Sequence, residues 1–185
     1  MSTFTISEAE RAEAPDLNLD SGEEVLLSPG SSRFKSQYRQ AHPRSAHELR
    51  DIVGVPVRAQ NKGDRRSPLL RRSEVVPASD LSAADANVRS RAWAIADTSL
   101  FEFISSDNPR SLVQLEPLIA EYLLLIDAVV NVVVLADIEV ADGGVLNVAD
   151  ETHVLAANRI ILHGSARIAC SGQTKLQVRS VEGVA

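Results

Sequence analysis

Short apolar pairs recur at a fixed interval along the last third of the chain. Ile138/Val140, Leu146/Val148 and Val154/Ala156 are followed, 22 positions on, by Ile160/Leu162, Ile168/Cys170 and Leu176/Val178. Within each unit the pairs start about eight positions apart; only the step from 154 to 160 is six. Four positions after each start stands a turn-forming or small polar residue: Asp142, Asp150, Asn158, Gly164, Gly172 and Ser180. Such residues tolerate the positive φ of tight corners. Apolar-x-apolar followed by a corner reads as a two- or three-residue strand with alternate side chains pointing inward.

Three sides and three corners per unit describe one coil of a triangular β-solenoid. The predicted fold is therefore mainly β: a short triangular solenoid over residues 129–185, each coil one such interval long, with a capping helix and a largely disordered N-terminal half. Stacking would place Ile138 over Ile160, Leu146 over Ile168 and Val148 over Cys170 at roughly 4.8 Å between strands. Ile161 falls on an outward position, where it is a candidate contact residue. An antiparallel meander or sandwich is the alternative, because alternation alone does not separate neighbouring strands from stacked coils.

Residues 112–130 form the most hydrophobic stretch, interrupted by Glu116, Glu121 and Asp127, so a membrane span would bury costly carboxylates. Pro117 suits a first helical turn, and Ile119, Tyr122, Leu123, Ile126 and Val130 share one helical face. A helix here would cap the first coil. The competing reading is a further coil, since Leu124, Ile126, Val132 and Val134 stand one interval before Leu146, Val148, Val154 and Ala156.

Composition divides the chain. Residues 1–90 hold 13 basic and 13 acidic residues and most of the prolines, whereas residues 91–185 hold 6 and 12, so the net charge of −6 resides in the second half. The apolar content before residue 80 is too low to offset the entropy of ordering, which predicts a flexible arm over 1–80 and a helical linker and cap over 81–128. Local helices are expected where Ser7-x-x-Glu10 and Ser45-x-x-Glu48 match capping boxes, the second ending at Gly54. A third begins near Ser82-x-x-Asp85 and runs toward Trp93, which is expected to pack on the solenoid flank.

Candidate chemistry is sparse. Arg65, Arg66, Arg71 and Arg72 form a possible anion-binding cluster, but Asp64 and Glu74 dilute its field and no aromatics interleave, so nucleic acid is disfavoured as a partner. Asp137, Glu139 and Asp142 form a possible glycan edge, because paired carboxylates serve acid/base work on sugars. His153, His163 and Cys170 lie near one another in sequence, but without a His-x-His or Cys-x-x-Cys pair, and no metal, cofactor or catalytic residue is assigned. Asp142-Gly143-Gly144 lacks the following lysine and hydroxyl of a phosphate loop.

The pattern Ile138-x-Val140, Ile160-x-Leu162 and Ile168-x-Cys170 with Gly143, Gly164 and Gly172 at corners resembles that of the bactofilins, bacterial cytoskeletal proteins with a β-solenoid and disordered tails. The resemblance is confined to the C-terminal repeat. It implies nucleotide-free, end-to-end polymerisation in the cytoplasm and supplies no catalytic residues. The acidic, polar start and the single cysteine likewise point to a reducing cytoplasm. The expected function is that of a non-enzymatic scaffold that self-associates as a homo-oligomer or polymer through Leu176, Val178 and Val181, its N-terminal arm contacting a protein partner. A glycan-binding or glycan-modifying solenoid is the alternative.

Overall fold

A computed structural model describes residues 6–54, 85–105 and 114–185. The chain divides into two compact units, one of Met1–Ala41 with Val129–Ala185 and the other of His42–Ala128, so the helical unit interrupts the sequence of the strand-bearing one. Helix and strand occupy comparable lengths, which makes the protein mixed α/β rather than mainly β.

The strand-bearing unit contains α1 (Glu8–Glu13), β1 (Leu17–Leu19), β2 (Glu24–Leu27), a 3-10 turn (Lys35–Gln37), β3 (Tyr38–Ala41), β4 (Val130–Val134), β5 (Asp137–Val140), β6 (Val145–Val148), β7 (Val154–His163), β8 (Arg167–Cys170) and β9 (Lys175–Val184). The larger sheet has the order β1-β5-β7-β4-β3, with β9 also on β7, and curls into a half-barrel. A smaller sheet has the order β2-β6-β8. Every pairing is parallel except β3 on β4.

The interval read from the sequence is the register of these pairings. Ile138 pairs with Ile160, Leu146 with Ile168, Val148 with Cys170 and Val132 with Val154. One core collects the side chains between the sheets, with Val133, Leu135, Ile138, Val140, Leu146, Val148, Leu155, Ala157 and Ile160 all at 1% exposure or less. Burying each large aliphatic is worth about 1.5–3 kcal/mol.

One register differs from expectation. Above β7 the offset shortens by one, so Leu155 and Ala157, not Val154 and Ala156, lie under Leu176 and Val178. The connection from β8 to β9 is one residue shorter than that from β6 to β7, which shifts the face by one. Alternation was uninformative here because Val154, Leu155, Ala156 and Ala157 are all buried, as in strands covered on both faces.

The larger correction concerns the N-terminal arm. Residues 17–27 are not a flexible tail: β1 pairs with β5 (Leu17 on Ile138, Leu19 on Val140) and β2 with β6 (Val25 on Leu146, Leu27 on Val148). Leu17, Leu19, Val25 and Leu27 are buried to 6% exposure or less. The corner between them repeats as well: Gly22 at φ +71° stacks on Gly143 at φ +74°, and Gly22 N donates to the Asp142 carbonyl at 3.1 Å. These residues offset the entropy of ordering by adding a layer to an existing core rather than by building their own.

Phe34, 4% exposed, is part of the same core, and β3 pairs antiparallel with the edge of β4. That edge is covered by residues 38–41, the role expected of a helix over 112–130. Ser7 and Glu10 form the full capping box of α1, and Glu10 also pairs with Arg39.

The helical unit holds α2 (Ala46–Val53), α3 (Ala86–Ser105) and α4 (Glu116–Leu125). Ser45 Oγ accepts from Glu48 N at 3.1 Å and Gly54 ends α2 at φ +72°, as the capping pattern predicts. Asp85 caps α3 by accepting from Asn87 N and Val88 N at 2.8 and 2.9 Å. Trp93 stacks on Tyr122 of α4 with centroids 6.1 Å apart, and the Tyr122 hydroxyl donates to Asp97 at 2.9 Å. Pro117 stands in the first turn of α4, and Leu118, Ile119 and Leu123 are buried. Ile126, expected on that face, is exposed because the helix stops at Leu125, where Asp127 takes φ +47°. Both readings of this stretch therefore hold in part, a helix up to 125 and a strand in the repeating register from 130.

Phe34→Ala should cost about 3–5 kcal/mol in urea unfolding, the range for a fully enclosed phenylalanine. A loss under about 1 kcal/mol would show that the N-terminal segment is not integral to the core.

Candidate functional site

The candidate glycan edge lies on and just after β5, and stacking determines the surroundings of all three carboxylates. Asp137 Oδ2 accepts from Arg159 Nε at 3.2 Å and Nη2 at 2.8 Å, from the residue 22 positions later on β7. This carboxylate holds the Arg159 guanidinium above its ordinary pKa. Glu139 Oε1 lies 2.8 Å from His163 Nε2. Asp142 Oδ1 accepts from Ser165 N at 2.8 Å and Ser165 Oγ at 2.9 Å, and these bonds lower its pKa, that of the backbone amide most. Each acid is thus joined to the next layer along a parallel stack. The arrangement braces strands and corners; it does not leave two free carboxylates facing one another across a substrate-sized gap.

The soft ligands are equally dispersed in role. His153 is half-buried, and its Nδ1 accepts from Asn131 N at 3.0 Å, while Asn131 Nδ2 donates to the Glu151 carbonyl. A ring nitrogen that accepts a backbone N–H must be unprotonated. Burial depresses the His153 pKa, against the opposing pull of Asp150 and Glu151. Cys170, expected to lie inward as a small hydrophobe, is exposed. It occupies the inward register above Val148, but among the described strands none pairs on the far edge of β8. Among the described residues no three His, Cys, Asp or Glu side chains group to hold a metal ion.

A polar spine runs beside the core. The Tyr38 hydroxyl bonds to Thr152 Oγ1 at 2.6 Å, and Thr174 Oγ1 donates to the Thr152 carbonyl at 2.8 Å. Thr152 is fully buried, and burial raises the Tyr38 pKa. The sequence reading missed this set; its signal was the separation of Thr152 and Thr174 by one interval of the repeat.

A cleft of about 330 Å3 opens beneath β1, lined by Asp16, Asn18, Arg33, Phe34, Gln37 and Leu135 among others. Its charged groups already have partners, since Asp16 Oδ1 accepts from Asp137 N at 3.1 Å and Arg33 pairs with Glu23 at 3.4 Å.

The residues expected to form an assembly contact lie on β9. Leu176 stands over Leu155, Val178 over Ala157 and Val181 over Ile160, all in register with the core. Val178 is partly buried against that core, whereas Leu176 is 48% and Val181 62% exposed. Ile161 is half-buried beside Glu182. The basic residues Arg65, Arg66, Arg71 and Arg72 lie outside the described residues. Among the described residues no helix is long and apolar enough to cross a membrane.

Comparison with protein-family models, curated proteins and solved structures gives no match.

Because protonation of His153 is favoured in the unfolded chain, its contribution to stability is present above the unfolded value near 6.5 and is lost as pH falls through the depressed folded value. An NMR titration should place the His153 ring below the ordinary histidine pKa. A normal or raised value would refute the neutral acceptor role.

Proposed function

We propose that the strand-bearing unit is a short triangular β-solenoid whose function is structural: a non-enzymatic scaffold that self-associates through its last coil. Three sides account for the pairings, with β4, β5 and β6 forming one coil and β7 and β8 continuing above them, β7 spanning two sides. β1 and β2 supply two sides of the coil below.

The observation that carries the functional reading is the contrast between the two ends. Inward residues Leu17, Leu19, Val25 and Leu27 at one end are buried, while Leu176 and Val181, inward by register at the other, face solvent; among the described strands none pairs on the outer edge of β9, as none does on those of β1 and β2. Exposed core positions and an open strand edge form a template for pairing. The outer face supports the same reading, because its carboxylates serve as braces between coils. A bactofilin-like scaffold in the cytoplasm is the family reading that we attach, resting on the corner grammar of Gly143, Gly164 and Gly172.

Light scattering over a concentration series should show the mass of the full chain rising. Val181→Glu, placed at an already exposed position, should hold the mass at one chain while changing stability by no more than about 0.5 kcal/mol. Equal assembly of parent and variant would exclude the last coil as the contact.

A further inference from the structure

We infer that His153 is an acid-sensitive latch on the junction of β3 and β4, through which the chain leaves for the helical unit and returns from it. The chain crosses at Ala41–His42 and at Ala128–Val129, and Ala41 pairs with Val130 at the end of the ladder between these strands. The hold on that end decides how firmly the two crossings stay together.

Asn131, next along β4, gathers the contacts of the junction. Its amide donates to His153 Nδ1 at 3.0 Å, and its carbonyl accepts from His153 N at 3.0 Å. Its side chain accepts from Gln40 Nε2 at 3.4 Å, opposite it on β3, and donates to the Glu151 carbonyl at 3.0 Å. β7 begins only at Val154, so the ring nitrogen takes the place of a strand carbonyl for the Asn131 amide.

A proton on Nδ1 turns the acceptor into a donor and sets two N–H groups against each other. Asp150 and Glu151, in the turn before the ring, favour that proton, while burial opposes it. On β9, Lys175 donates its backbone amide to the His153 carbonyl. Just past the crossings, His42 Nδ1 lies 3.5 Å from Asp127 Oδ1, and protonation strengthens that pair, so His42 acts in the opposite sense. Opening the junction releases the His153 ring to water, where it titrates near 6.5. The closed junction is favoured above that value and loses its advantage as pH falls, by up to about tenfold per pH unit. The far end of the two strands is held without a histidine. There the Tyr38 hydroxyl bonds to Thr152 Oγ1 at 2.6 Å, and Leu135 N donates to the Ala156 carbonyl at 2.9 Å. Acid therefore loosens the roots of the helical unit first, and not the stack.

Amide hydrogen exchange in the full chain, corrected for its intrinsic pH dependence, reads the latch residue by residue. From about pH 7.5 to about pH 5 the protection of the Asn131 amide should fall at least about threefold while that of Leu135 holds. His153→Asn, whose Oδ1 accepts without titrating, should abolish the fall. Unchanged protection at Asn131, an equal fall at Leu135, or the same fall in His153→Asn would each overturn the latch. Should that variant not fold, the parent decides: the Asn131 amide shift should titrate with the midpoint of the His153 ring, and a different midpoint would overturn the proposal.

Discussion

Parallel pairing in fixed register is the constraint from which the rest of the strand-bearing unit follows. A parallel ladder aligns each residue with a counterpart one layer away, so an inward side chain must stand over an inward side chain. Ile138 on Ile160 and Leu146 on Ile168 meet that condition only if the intervening chain returns after the same interval on every side. Corner geometry is thereby fixed as well. Glycines stack at positive φ where the first two layers turn, and Asp142 ties its corner to Ser165 above. A one-residue change between β8 and β9 is enough to move the next strand onto the other alternation of β7.

The same constraint makes a stack vulnerable at its ends. Interior layers satisfy their backbone groups and cover their side chains on both sides, whereas a terminal layer does so on one. At the N-terminal end Phe34 joins the core and β3 turns antiparallel to β4, while among the described strands none pairs on the outer edges of β1 and β2. The helical unit, His42–Ala128, then intervenes before the stack resumes at Val129. The other end keeps core-type residues at 48% and 62% exposure, an imbalance that cannot be relieved within the described layers.

What the sequence disclosed depended on continuity. Residues 138–170 repeat without interruption, and there the offset, the corners and the pairs on β5, β6 and β8 were legible, whereas at 154–157 the residues that join the core are Leu155 and Ala157, not Val154 and Ala156. Leu17-x-Leu19, Gly22 and Val25-x-Leu27 carry the same grammar, but they stand far ahead of their partners on β5 and β6 because the helical unit intervenes. A search for one period does not find a separation that is no multiple of it, and low local hydrophobicity then favoured a flexible arm. Helix caps at Ser7, Ser45 and Gly54 were legible because capping is decided within a single turn. Trp93 was misplaced for the opposite reason: its partner, Tyr122, is a helix away.

The site was less legible than the fold because residue type does not reveal what a side chain is already engaged with. Asp137, Glu139 and Asp142 look like reagents in sequence and prove to be bonded to Arg159, His163 and Ser165. In a stack, outward polar residues recur above one another, so complementary pairs form along the stacking direction and satisfy the charges that a ligand would otherwise use. Chemistry on such a flank would have to compete with the pairing that holds the layers together. Contact through an end competes with nothing, since it continues the same ladder and the same core.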